Sequence, residues 1–232
     1  MSPTETQLPC RIQTVLFDLD GTLVDNFTAI HRAYSDVVRT LGLPPMTQQE
    51  VMDAVGGSIT VTMRRLIGEA QADEAVRLYL QHFPTVMFEG LRVYDGVVAL
   101  LSVLKRRGLR LAVYTNKTAS TARCILEHLD MACLFDGIFG TKEVPWCKPD
   151  PQFTRFVLGK LDADAATTIM IGDSPFDIAT ARNGKLAAVY CVTTGSHSAG
   201  KLAEHLPDGI FPGFAELGRA VFPNAPGVDC SA

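Results

Sequence analysis

Apolar residues along the chain fall into two recurring patterns. Short unbroken runs, Val15-Leu16-Phe17 and residues 109–114, 168–171 and 186–192, read as buried strands, because a strand covered on both faces shows no polar side. Each run empties into polar turn residues: Asp18-Leu19-Asp20-Gly21, Thr115-Asn116, Gly172-Asp173-Ser174 and Thr193-Thr194-Gly195 in turn. Between them, residues 97–107, 119–129, 153–161 and 175–183 read as helices. Boundary residues agree: Asp150-Pro151 and Ser174-Pro175 set a capping side chain before a proline at the first helical position, and Gly108 and Gly184 follow helix ends. Buried strands alternating with helices predict an α/β fold, a parallel sheet covered on both faces.

After the first strand the pattern changes. Phe27, Ile30, Tyr34, Val37, Val38 and Leu41 recur at helical spacing, and no strand follows before Arg92. Thr47-Gln48-Gln49-Glu50 is a capping box, in which threonine and glutamate satisfy each other's free backbone N–H at a helix start. Met63, Leu66 and Ile67, then Val76, Leu78 and Leu80, continue the helical theme. Residues 26–91 are therefore expected to form an all-α insertion over the carboxyl ends of the sheet, with 1–25 and 92–232 as the α/β core. Residues 224–232 are expected to be a loose tail.

Composition narrows the class. An apolar fraction of 47% beside 20% charged residues suits a globular chain that buries a core. A net charge of -4 offers no concentrated cationic surface, which argues against nucleic acid or a membrane as partner. The one basic cluster, Lys105-Arg106-Arg107, lies at a helix end, where cations offset the carbonyl end of the dipole. Cys10, Cys124, Cys133, Cys147, Cys191 and Cys230 are scattered without a C-x-x-C pair, which argues against a zinc site or disulfide framework. Residues 1–7 lack the basic start and apolar core of a leader, and no apolar run reaches membrane-spanning length. A soluble, cytoplasmic protein is expected; the oligomeric state is not legible.

In an open parallel sheet, ligands bind beyond the carboxyl ends of the strands, so Asp18, Asp20, Thr115 and Asp173 are expected to converge on one crevice. Asp18 and Asp20, two residues apart, share a side if the segment stays extended. Adjacent acids repel unless a cation neutralises them, and hard oxygen ligands without nearby His or Cys point to magnesium, held by Asp18 and Asp173. A magnesium ion beside a carboxylate suits phosphoryl transfer with Asp18 as covalent nucleophile. Asp20 would protonate the leaving alcohol and later activate water, while Lys148 and the Thr115 hydroxyl hold phosphate oxygens.

These residues carry a resemblance. Asp18-Leu19-Asp20-Gly21-Thr22-Leu23-Val24-Asp25 resembles the first signature of the haloacid dehalogenase superfamily, and Thr115-Asn116-Lys117, Lys148-Pro149 and Gly172-Asp173-Ser174-Pro175-Phe176-Asp177 resemble the other three in order. The resemblance implies a Rossmann-like core with an inserted helical cap. It implies Asp18 as nucleophile and metal ligand, Asp20 as acid/base with its carbonyl on Mg2+, Asp173 as metal ligand, and Thr115, Asn116 and Lys148 around the phosphate. Asp177 reads either as a support or further ligand of the metal, or as a first-turn acid placed for the helix dipole.

Within the superfamily, dehalogenases lack the second aspartate, so Asp20 argues for a phosphatase. Phosphonate hydrolases use a cap lysine, and no lysine precedes Lys105. Mutases of the beta-phosphoglucomutase type carry an arginine shortly after a cap glycine, whereas Gly56-Gly57-Ser58 here runs into Ile59. Leu41-Gly42-Leu43-Pro44-Pro45, Val55-Gly56 and Tyr114-Thr115-Asn116-Lys117 resemble phosphoglycolate phosphatase relatives. The expected substrate is a small phosphorylated metabolite such as phosphoglycolate, with Gly56, Arg64 and Arg65 as the residues expected to select it. A mutase, or a non-enzymatic phosphoacceptor resembling a receiver domain, is the alternative. Asp95-Gly96 and Trp146-Cys147 depart from the family pattern.

Overall fold

The computed structural model describes residues 12–223, so the expectations for Cys10, Cys230, residues 1–7 and the tail lie outside the described residues. β1 (Thr14–Phe17) is followed by the short β2 (Val24–Asp25), then by helices α1 (Phe27–Thr40), α2 (Gln48–Ala54), α3 (Ile59–Ile67) and α4 (Glu69–Val86), and by the short β3 (Arg92–Val93). The chain continues through α5 (Val97–Arg106), β4 (Arg110–Thr118), α6 (Ala119–His128), β5 (Gly137–Thr141), α7 (Pro151–Leu161) and β6 (Thr168–Gly172). It ends with α8 (Pro175–Asn183), β7 (Ala188–Val192), α9 (Ala199–Ala203), β8 (Gly209–Phe211) and α10 (Phe214–Val221).

Six strands form one parallel sheet in the order β5-β4-β1-β6-β7-β8. Side-chain alternation divides the core between its two faces. Val15, Phe17, Leu111, Val113, Ile169 and Ile171 pack with α5, α6 and α10, whereas Leu16, Ala112, Tyr114 and Met170 pack with α7 and α8. The insertion helices add Ile30, Tyr34, Tyr79 and Phe83 to the first cluster. β2 and β3 pair antiparallel through Val24 with Val93 and Asp25 with Arg92, and so bracket the four helices.

All four strands read from apolar runs are present, β4 extending to Thr118 past an irregularity after Tyr114. β5 and β8 carry no such run: Gly137-Ile138-Phe139-Gly140-Thr141 and Gly209-Ile210-Phe211 hold two apolar side chains each beside glycine, as suits short edge strands. The capping box of α2 forms in both directions, Glu50 N donating to Thr47 Oγ1 at 3.2 Å and Thr47 N to Glu50 Oε2 at 2.7 Å. Trp146 packs against the second core cluster, its ring 6.3 Å from that of Phe156, which gives the unusual Trp146 a packing role. Among the described residues, no helix is long and apolar enough to cross a membrane, and Cys124, Cys133, Cys147 and Cys191 are free thiols.

Candidate active site

The parallel ladder itself delivers the first carboxylate. Asp18 N donates to Ile171 O of β6 at 2.9 Å, so the strand continues until its side chain clears the sheet. The chain then turns at Gly21, whose φ of +86 favours glycine, and Leu19 O collects the N–H groups of Thr22, Leu23 and Val24. Asp18 and Asp20 thereby line the same cavity, opposite α1, α3 and α4 and beside Thr115, Asn116, Lys117 and Thr118 at the end of β4.

Beneath Asp18 lies Lys148, 1% exposed. Its Nζ sits 2.6 Å from Asp177 Oδ1 and 2.9 Å from Asp18 Oδ1. The approach to Asp177 is a hydrogen bond, whereas that to Asp18 is an ion pair off the hydrogen-bonding direction, which leaves Oδ1 of Asp18 buried without a donor. Burial pulls the Lys148 pKa down, but Asp177 and Asp18 together outweigh it and hold the ammonium above its ordinary range. Burial pushes the Asp18 carboxyl up, Lys148 offsets part of this, and Asp177 adds repulsion, leaving it at about 6. Asp173 is raised well above the ordinary carboxylate value by burial, then by Asp18 and Asp177.

Oxygens of Asp18, Asp173 and Asp177 lie within 4.8 Å of one another, the one such cluster among the described residues. Three buried acids with a single lysine leave negative charge uncompensated, which fits a hard divalent cation. Donor accounting separates the three. Asp177 Oδ2 already accepts from Ser174 Oγ at 2.6 Å, Ser174 N at 3.1 Å and Asp173 N at 3.2 Å, while its Oδ1 carries Lys148. Asp173 accepts from Thr22 Oγ1 at 2.8 Å and from Ser196 N at 3.3 Å, and Asp18 keeps an oxygen without a donor. Asp18 and Asp173 could therefore hold such a cation, while Asp177 holds Lys148 and the turn at Ser174.

Residues 15–190 match the family described as Haloacid dehalogenase-like hydrolase. The chain belongs to that family. It is 34% identical to a phosphoglycolate phosphatase of Rhodospirillum rubrum over 217 residues, covering 89% of each chain. It is 31% identical to a phosphoglycolate phosphatase of Agrobacterium fabrum over 214 residues, covering 89% of this chain and 91% of the relative. A haloacid dehalogenase-like hydrolase from Streptococcus pneumoniae superposes with a TM-score of 0.81 at 26% identity, covering 89% of this chain and 96% of that one.

In this haloacid dehalogenase-like chain, some expected residues stand apart from the cavity or are already engaged. Asn116 lines it, but its side chain is occupied: Oδ1 accepts from Lys148 N at 2.7 Å, and Nδ2 donates to Gly56 O at 3.1 Å and Lys148 O at 3.2 Å. Its amide thus ties the lysine loop to the insertion and has no free donor for a phosphate. Gly56 lines the cavity; Arg64 and Arg65 do not, both being exposed on α3, with Arg64 Nε 3.1 Å from Glu69 Oε2.

Two features went unread in the sequence. Lys117 Nζ sits 2.7 Å from Asp20 Oδ2 and 4.3 Å above the Phe83 ring, joining the acid to α4. Gly21 and Gly195 press their backbones against Asp173, where a Cβ on either would overlap the carboxylate, and Gly172 does the same to Asp177. A signal for Gly195 existed, since Thr193-Thr194-Gly195 ends a buried strand, but the carboxylate it meets is distant in sequence.

Proposed function

We propose that the protein is a magnesium-dependent phosphatase that hydrolyses small phosphate monoesters through a phosphoaspartyl intermediate. The reading takes residues 1–25 and 92–232 as catalytic core and the helices of 26–91 as a cap over it. The observation that carries it is the pairing of Asp18 and Asp20 on one cavity, with Asp18 also in the buried cluster of acids around Lys148. Membership of a hydrolase family and relatives named phosphatases support it.

In this mechanism an Asp18 oxygen attacks phosphorus, the ester P–O bond breaks, and the departing alkoxide takes a proton from Asp20. Thr115 Oγ1 and Lys148 Nζ hold the phosphate oxygens, and Asp177 keeps Lys148 charged and in place. Water then attacks phosphorus and gives its proton to Asp20. The bond from phosphorus to the Asp18 oxygen breaks, freeing inorganic phosphate and restoring both carboxyl groups. Asp18, Asp173 and the Asp20 carbonyl would hold magnesium, which when bound supplies the positive charge that lets nucleophile and phosphate approach. Lys117 beside Asp20 keeps the acid/base at the cavity wall.

Asp18→Asn is expected to lower phosphate release by at least about a thousandfold, as loss of a covalent nucleophile does, and a chelator of magnesium to abolish it. Undiminished turnover in either assay would overturn the mechanism.

A further inference from the structure

The insertion's side of the cavity contains no charged residue. Its wall is built from Tyr34, Ile59, Tyr79, Leu80, Phe83 and Pro84. The three rings run in sequence, Tyr34 to Tyr79 at 4.9 Å between centroids and Tyr79 to Phe83 at 5.3 Å, the last pair stacked at 16°. Thr62, also in the lining, directs its hydroxyl to its own segment, at Ser58 O and Ala54 O. Among the described residues, the one cation of the lining is Lys117, which is paired with Asp20. The insertion holds no lysine, and its arginines, at 32, 39, 64, 65 and 77, are all exposed outside the lining.

A leaving group bearing its own carboxylate or second phosphate would be stripped of water here without a free cation to receive it, which is costly. On the insertion's wall a polyhydroxylated one would meet the hydroxyls of Tyr34, Tyr79 and Thr62 among otherwise apolar side chains. An apolar body gains by burial against the same wall, where Ile59 and Leu80 are only half-buried and Pro84 is exposed. We propose that the leaving alcohol of this phosphatase is uncharged and carries an apolar body seated against Ile59, Leu80 and Pro84, beside the rings of Tyr79 and Phe83. The proposal rests on the phosphatase reading and sets this chain apart from its relatives named for phosphoglycolate.

The test uses the full chain with magnesium and alkyl phosphates of comparable intrinsic reactivity: 2-phenylethyl phosphate, phosphoglycolate and glucose 6-phosphate, with 4-nitrophenyl phosphate as a general ester. Expected is a kcat/KM for 2-phenylethyl phosphate at least about tenfold above that for phosphoglycolate, the scale on which a hydrophobic pocket discriminates. Phe83→Ala should raise KM for the phenylethyl ester. Leu80→Arg, or Ile59→Arg should the first fail to fold, should shift the ratio about tenfold toward phosphoglycolate by supplying the missing cation. Wild-type preference for phosphoglycolate or the sugar phosphate overturns this inference and leaves the phosphatase reading standing. Release from none of the four esters overturns the phosphatase reading, and the inference falls with it.

Discussion

Lys148 has no contact with water that would sustain its charge, so its two carboxylate partners must. Removing one partner of a buried pair leaves an uncompensated ion, a loss of about 3–5 kcal/mol. Asp177→Ala, which also frees three donors at Ser174 and Asp173, is therefore expected to cost at least about 3 kcal/mol in denaturant unfolding. A loss within experimental error would show that Lys148 does not depend on it. The same crowding makes stability depend on pH. Burial raises Asp18 from 3.8 to about 6 and Asp173 in the same direction, so the folded, metal-free protein binds more protons than the unfolded chain across that window. Stability from these groups is full below the unfolded value and is lost as pH rises through the folded one. Magnesium bound at these acids would offset the loss. The thermal midpoint gained on adding magnesium should thus be larger at about pH 7 than at about pH 5; equal gains would count against a cation at these acids.

At the scale of elements, the site is made where strands stop. β1 supplies Asp18, β4 Thr115, and the turns after β6 and β7 supply Asp173 and Gly195, because parallel strands all end on one edge of the sheet. The turns approach so closely that Gly195 leaves no room for a Cβ beside Asp173. Gly195→Ala should displace either the turn or the carboxylate, weakening magnesium binding and lowering kcat about a hundredfold, the scale of a small misplacement near reacting groups. Because the substitution lies in a loop, the fold should persist by circular dichroism; wild-type kcat in Gly195→Ala would show that Asp173 tolerates the movement. Asn116 works at the same scale, since one amide joins the β4 end, the Lys148 loop and the turn at Gly56 between α2 and α3.

Across the whole molecule, the helical insertion and one face of the sheet share a single apolar cluster. Elements that bury one another's surface lose their contacts together, so the insertion is expected to unfold with the core in one transition. The chain's single tryptophan reports on the opposite face, where Trp146 packs beside Phe156. Its fluorescence and far-ultraviolet circular dichroism should therefore follow coincident denaturant curves. Helical signal lost ahead of the fluorescence change would show the insertion unfolding on its own.

The central strands, their flanking helices, the capping box of α2 and the acids at strand ends were readable from local order alone, because burial on both faces, helical spacing and caps act over a few neighbouring residues. β5 and β8 were not, since an edge strand needs little apolar surface and keeps glycine. Nor were the pairings that give the site its chemistry. Asp177 meets Lys148 across 29 residues, Lys117 meets Asp20 across 97, and Thr22 meets Asp173 across 151. Arg64 and Arg65 look like substrate-binding cations in the linear chain, yet α3 turns them to solvent, and rings of α1 and α4 line the cavity instead. The order of residues settles which groups stand at the ends of strands, because strand and helix periods are local. Which charges meet, and what wall the substrate meets, follows only from packing, where burial makes each pairing cost or stabilise according to neighbours distant in the chain.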